Sequence, residues 1–147
     1  MSGGAGDDQV SGSDGRDDLS GGAGDDTVTG GRGADVLSGD GGNDQLDGGQ
    51  GADTLDGGAG QDMLTGGSNA DTFVFGRGDG ADLVTDFVEG ADVLDLSDHG
   101  FASFAALTGA ASATARADET LFEFGAGDSV LVQGLSFASL DASDVLI

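Results

Sequence analysis

The chain has 147 residues and a formal net charge of −24, from 28 acidic residues against 4 basic ones, with no lysine, cysteine or proline. Such a field repels nucleic acid and anionic membrane surfaces, the missing thiols exclude disulfides and thiolate zinc or redox chemistry, and no apolar run approaches the roughly 20 residues that span a bilayer. The acids are almost all Asp, with only Glu89, Glu119 and Glu123 as exceptions, which favours short carboxylates in tight loops and makes a cation the obvious partner.

The first residues, MSGGAGDDQV, have neither a basic segment nor an apolar one, so no cleavable signal peptide is expected there. A repeat starts directly after Met1-Ser2, which suggests a longer parent chain. From Gly3 to Val74 the sequence divides without gaps into eight nonapeptides. Position one is always Gly, and position four is Gly in every repeat but the last, where Asn69 stands. Position six is always Asp: Asp8, Asp17, Asp26, Asp35, Asp44, Asp53, Asp62 and Asp71. Position eight is always large and apolar: Val10, Leu19, Val28, Leu37, Leu46, Leu55, Leu64 and Phe73.

Positions seven to nine are predicted to form a strand of three residues whose central side chain points inward. Positions one to six then form a turn in which glycine permits positive φ and lets carbonyls converge without Cβ clashes. Two repeats make one coil of 18 residues, with odd repeats stacked into one parallel sheet and even repeats into the other. One apolar side chain per nine residues is a thin core to set against chain ordering and self-repulsion. Something else must stabilise the roll.

Stacking sets the position-six aspartates of alternate repeats across a shared gap: Asp8 with Asp26, Asp17 with Asp35, Asp26 with Asp44, Asp35 with Asp53, Asp44 with Asp62 and Asp53 with Asp71. Two carboxylates plus converging carbonyls make an all-oxygen set that suits Ca²⁺ better than a soft transition metal, or than Mg²⁺, which prefers to keep its waters. Taken without metal, the same segment reads as a disordered acidic linker, but disorder does not require Leu or Val fixed at position eight. An EF-hand is excluded, since no D-x-[DN]-x-[DN]-G run exists and no Glu stands where a bidentate ligand is needed.

The motif G-G-x-G-x-D-x-U-x, held in register over 72 residues, resembles the calcium-binding repeat of the RTX (repeats-in-toxin, hemolysin-type) family. The resemblance implies an all-β fold: a right-handed parallel β-roll of two short-strand sheets with a β-rich C-terminal cap. It also implies the finer ligand set. The lower loop of each gap would offer the carbonyls of positions two and four: Gly4 and Gly6, Ser13 and Gly15, Gly22 and Gly24, Gly31 and Gly33, Asp40 and Gly42, Gly49 and Gly51. The upper loop would offer those of positions one and three: Gly21 and Ala23, Gly30 and Arg32, Gly39 and Gly41, Gly48 and Gln50, Gly57 and Ala59, Gly66 and Ser68. About six Ca²⁺ sites follow. Further sites would form if Asp82 and Asp92 complete gaps over Asp62 and Asp71, with Gly58 and Gly60 in the lower loop of the former.

From Phe73 onward the composition changes, with all 8 Phe between Phe73 and Phe137. An echo of the repeat persists at Gly78–Asp82 and Gly90–Asp92 after Phe75 and Gly76 break the register. Residues 101–111 read as a short helix, 120–133 as a β-hairpin across a Gly-containing turn, and the tail ends in an apolar strand. Residues 3–74 are thus expected to be the roll and 75–147 a cap that hides its last open edge. The tail, Asp141 to Ile147, also resembles the uncleaved C-terminal signal of type I secretion substrates.

Little points to catalysis. Gly76–Ala81 satisfies a loose G-x-G-x-x-[GA], but no helix is expected after it, so it reads as a degenerate repeat rather than a dinucleotide loop. His99, the single histidine, reads as a surface residue beside Asp98, and Arg16, Arg32, Arg77 and Arg116 form no phosphate clamp. The expectation is a non-enzymatic Ca²⁺ module, secreted by the type I apparatus, that folds outside the cell and stabilises a parent with any enzyme domain upstream. The competing expectation is an adhesin or substrate-binding module that docks a glycan, surface polymer or partner protein through the Phe-rich cap.

Overall fold

A computed structural model describes residues 1–113 and 118–147. The strands in chain order are β1 (Ser2–Ala5), β2 (Gln9–Asp14), β3 (Asp18–Ala23), β4 (Thr27–Arg32), β5 (Val36–Gly41), β6 (Gln45–Gln50), β7 (Thr54–Asp56), β8 (Met63–Ser68), β9 (Thr72–Val74), β10 (Ala81–Val84) and β11 (Val93–Asp95). A helix α1 (Phe104–Ala110) follows, then β12 (Ala111–Ala113), β13 (Glu119–Gly125), β14 (Asp128–Gln133) and β15 (Val145–Leu146).

The period of nine becomes two parallel sheets. Odd repeats stack as β2, β4, β6 and β8, with Val10 opposite Val28, Val28 opposite Leu46 and Leu46 opposite Leu64. Even repeats stack as β3, β5, β7 and β9, with Leu19, Leu37, Leu55 and Phe73 in one column. All eight position-eight side chains are buried between the sheets, none more than 5% exposed. The β-roll is therefore the architecture the repeats dictate.

The strands are longer than three residues in most coils. β2 to β6 and β8 run on through position three of the next repeat, because the ladder resumes after skipping position one: Ser11 opposes Thr29, and Ser13 opposes Gly31. The turn between sheets is correspondingly tighter. Only β7 and β9 keep the short form.

The sheets continue beyond Val74. Val84 of β10 stacks on Leu64 and Leu94 of β11 on Phe73, so both occupy the inward column. β14 then lies parallel to β10, with Val132 opposite Val84, and β15 lies parallel to β11, with Val145 opposite Leu94. β13 pairs antiparallel with β14, and β12 antiparallel with β13, which closes the odd sheet with a hairpin edge instead of another coil. Phe75, Phe87, Leu96, Leu107, Phe122, Val130 and Leu135 widen the core at this end.

The expected helix over 101–111 is shorter, Phe104–Ala110, and starts where the Ser103 hydroxyl accepts the Ala106 amide at 3.2 Å. Ala111 belongs to strand β12, which pairing with β13 creates and local propensity does not announce. The hairpin forms as expected, turning at Ala126 (φ 58°) between two positive-φ glycines, Gly125 and Gly127. Arg116 lies outside the described residues. Among the described residues no helix is long and apolar enough to cross a membrane.

Candidate metal centre: the aspartate ladders

Each loop places its position-six Asp at the point where the turn re-enters a strand, one coil directly above another. The aspartate of the upper coil accepts a hydrogen bond through Oδ1 from the backbone amide of the aspartate below. The six such bonds, Asp8 to Asp26, Asp17 to Asp35, Asp26 to Asp44, Asp35 to Asp53, Asp44 to Asp62 and Asp53 to Asp71, measure 2.7–2.9 Å. The pairs expected to face one another do so. Asp82 extends the odd ladder by accepting the Asp62 amide at 3.1 Å, and Asp92 extends the even one by accepting the Asp71 amide at 2.9 Å. Their spacings of 20 and 21 residues, against 18 in the repeats, measure how much the intervening loops have grown.

The second oxygen decides what the ladder is for. Asp26, Asp35, Asp44, Asp53, Asp62 and Asp71 are buried to within 2% exposure. In each of them, and in Asp17, Oδ2 is buried and accepts no hydrogen bond from the protein. An orphaned anionic oxygen of this kind is costly unless a cation meets it. Burial accordingly raises the Asp44 and Asp53 carboxyls above their ordinary range, against the pull of the hydrogen bonds they accept. The same desolvation lifts Asp62 and Asp71 to about 6 and Asp82 to about 7. Neighbouring carboxylates add to the shift, as the Asp44 charge does at Asp62.

Backbone oxygens complete the surroundings. A Cβ on Gly12 would lie 2.5 Å from Asp17 Oδ2 and 2.5 Å from the Gly30 carbonyl oxygen; on Gly48 it would lie 2.6 Å from Asp53 Oδ2 and 2.7 Å from the Gly66 carbonyl. Position one is thus glycine for lack of room rather than for left-handed φ. The space a side chain would fill is where a carboxylate and the position-one carbonyl of the coil above converge. Carbonyls of the lower coil face upward: Gly31 O lies 2.5 Å from a Cβ on Gly49, and Gly6 O 2.6 Å from one on Gly24. Position-three carbonyls of the upper coil face down, where Ala23, Arg32, Gly41, Gln50, Ala59 and Ser68 each accept a position-four amide at 2.6–3.1 Å. A carbonyl has a second lone pair left for a further partner. Position two carries positive φ even where it is not glycine, at Ser13 (119°) and Asp40 (70°), and Asn69 at position four does the same at 87°.

Among the described residues no cluster of three His, Cys, Asp or Glu side chains forms. Any cage here is two carboxylates filled out by carbonyls, a hard all-oxygen set of the kind Ca²⁺ takes. A family model described as the RTX calcium-binding nonapeptide repeat (4 copies) matches residues 1–28, 20–55 and 47–81. The chain belongs to this family. It is a calcium-binding RTX module.

Two solved structures resemble the whole module. The AlgE6R2 subunit of the mannuronan C5-epimerase from Azotobacter vinelandii is 34% identical, with 94% of this chain and 91% of that one covered and a TM-score of 0.59. The AlgE6R3 subunit of the same enzyme is 30% identical, covering 98% of this chain and 80% of that one with a TM-score of 0.54. No curated protein sequence matches the chain.

The RTX ladder closes differently at its two upper ends. Asp92 Oδ2 is taken by the Val88 amide at 2.8 Å, so that carboxylate is satisfied within the protein, whereas Asp82 receives only the Asp62 amide among the hydrogen bonds described. One further carboxylate carries no sequence signal: Asp86 accepts the Gly66 and Gly67 amides at 2.9 and 2.8 Å and so ties the last repeat's turn to the segment between β10 and β11. It stands outside the period, and no spacing marks it.

His99 is not a free surface residue. Its ring stacks on Phe124 with centroids 4.0 Å apart, and its Nε2 is buried without a partner, so burial lowers its pKa. It sits on the wall of a cavity of about 510 Å³ with Arg77, Gly78, Phe101, Phe124 and Asp128. Arg77 is held there by donating to the Asp98 and His99 carbonyls at 3.0 and 2.9 Å. Gly76–Gly80 leads into strand β10 rather than a helix, so it makes no dinucleotide loop.

Proposed function

We propose that the chain is a Ca²⁺-driven folding module of a longer secreted protein. The observation that carries this is the row of buried aspartates, each with one oxygen bound to the coil below and the other left for a cation. Where free Ca²⁺ is scarce, a charge of −24 opposes compaction and keeps the chain exportable. At roughly millimolar Ca²⁺ outside a cell, affinities typical of extracellular modules suffice.

Six cages would use the carbonyls of positions one to four named above, with Asp82 completing a further one over Asp62, while Asp92, its Oδ2 already taken by the Val88 amide, ends the even ladder. Each tenfold rise in Ca²⁺ above Kd adds about 1.4 kcal/mol per site, so six coupled sites add about 8 kcal/mol, comparable to the whole stability of a small domain. Residues 75–147 act as the cap that ends the roll, the Asp141–Ile147 tail serves type I export, and catalysis belongs to the parent outside this module. On this reading the circular dichroism of the chain in EDTA lacks most of its β signal and regains it cooperatively between micromolar and millimolar Ca²⁺. Equal β content in EDTA and in millimolar Ca²⁺ would sink the reading.

A second reading, a docking module for a glycan, is favoured by the cap cavity. It joins the rings of Phe101 and Phe124 to Arg77 and Asp128, a mixture of aromatic and charged groups suited to a ligand with apolar and hydroxylated faces. Both related structures are subunits of an enzyme named for a polysaccharide. A glycan array probed with the Ca²⁺-loaded chain is expected to give hits that Phe124→Ala abolishes; an array without hits removes this reading.

A further inference from the structure

The two edges of the roll are built differently at position five. In the odd repeats this position holds Asp7, Asp25, Asn43 and Gln61, and in the even repeats Arg16, Ala34, Ala52 and Ala70. The odd set forms a second ladder. Asp7 Oδ1 accepts the Asp25 amide at 3.0 Å, Asp25 Oδ1 accepts the Asn43 amide at 2.8 Å, and Asn43 Oδ1 accepts the Gln61 amide at 3.0 Å. It runs opposite to the position-six ladder, since here the lower side chain receives the upper amide. Alanine side chains have no oxygen to offer in this way.

The peptide geometry connects this ladder to the metal. The amide of position five and the carbonyl of position four belong to one planar trans peptide, so they point in opposite directions. Drawing the Asp25 amide down onto Asp7 turns the Gly24 carbonyl up, where it faces Gly42 of the coil above. The Asn43 amide fixes the Gly42 carbonyl toward Gly60 in the same manner. The even loops hold the same carbonyl direction without such a bond, and two of them carry a cation, Arg16 and Arg32, the latter 3.9 Å from Asp14.

We propose that Asp7, Asp25 and Asn43 are positioning residues that preorganise the odd edge, which therefore takes up Ca²⁺ at lower concentration than the even edge. This rests on the calcium reading above. A loop braced by the neighbouring coil needs less of the ion's binding energy to order as the roll forms, which removes part of the cost of binding. A side chain to backbone hydrogen bond is worth enough to separate the two edges about 2- to 10-fold in midpoint concentration.

The test is a Ca²⁺ titration of the full chain followed by ¹⁵N NMR, with Asp25 and Asn43 reporting on the odd edge and Ala34 and Ala52 on the even one. The odd amides are expected to reach their midpoint first. All four side chains are exposed, so substitution leaves the core intact. Asp25→Ala with Asn43→Ala should bring the two midpoints together, whereas Asp25→Asn, which keeps the acceptor and loses the charge, should preserve the order. Coincident midpoints in the natural chain, or an order untouched by the double alanine change, would overturn the proposal. An order lost equally in Asp25→Asn would assign the effect to charge and overturn the positioning role. Should no amide respond to Ca²⁺, the calcium reading itself falls.

Discussion

Asp44→Ala should remove two Ca²⁺ ions per chain, and Asp8→Ala only one. Asp44 lies between two gaps of the odd edge: its Oδ1 accepts the Asp26 amide below, its own amide donates to Asp62 above, and its Oδ2 is buried and unpartnered. Alanine withdraws a carboxylate from both gaps and leaves the buried Asp26 amide without its acceptor. The orphaned amide alone costs about 1–3 kcal/mol, and each lost ion removes its share of the linkage that holds the roll folded. Asp8 sits at the open N-terminal coil, is only part-buried, and faces a single partner, Asp26. Equilibrium dialysis gives the stoichiometry and a Ca²⁺ titration followed by circular dichroism gives the folding midpoint. The Asp44→Ala midpoint should lie at clearly higher Ca²⁺ than that of Asp8→Ala. Equal shifts would mean that coils do not share their aspartates.

Asp44→Asn refines the same experiment. An amide oxygen still accepts from Asp26, so the ladder bond survives, while the charge that would meet the cation is gone. Its folding defect should therefore be deepest at subsaturating Ca²⁺ and fade as the ion is raised.

The roll was legible because two constraints repeat at one period. Position eight must face inward and position six must face the gap, so Leu37 and Asp35 declare their places without any tertiary information. The pairing of odd with odd repeats followed from the coil length alone. What the period did not reveal is what depends on distant partners. β14 joins the sheet beside β10, and β15 beside β11, although roughly fifty residues separate each pair. Ala111 reads as the end of a helix, yet Ala111–Ala113 form a strand because β13 lies beside them. Asp86 and the stacked ring of His99 are fixed by contacts made beyond the nonapeptides, where no repeat exists to count. Asp82 and Asp92 fall between these cases: the echo of the motif named them, while only the structure shows that their longer loops still land them on Asp62 and Asp71.

Glycine at two positions of adjacent repeats should respond oppositely to the same change. Gly48→Ala puts a Cβ 2.6 Å from Asp53 Oδ2 and 2.7 Å from the Gly66 carbonyl oxygen, nearer than real Cβ atoms come to such neighbours. The backbone carbonyl belongs to a paired coil and cannot retreat, so the carboxylate must swing away from the gap it serves. Overpacking of this sort costs about 1–3 kcal/mol, and the displaced Asp53 weakens the two gaps it shares with Asp35 and Asp71. Gly41→Ala is the matched control: its Cβ would meet nothing within 4 Å, and its φ lies outside the left-handed region. That change narrows only the unfolded ensemble, so it should leave Ca²⁺ binding intact and stabilise by about 0.4–1 kcal/mol. Urea unfolding in saturating Ca²⁺, paired with a Ca²⁺ titration, separates the two outcomes. If Gly48→Ala binds Ca²⁺ as tightly as Gly41→Ala, then position one does not guard the space in which the carboxylate and carbonyl oxygens meet.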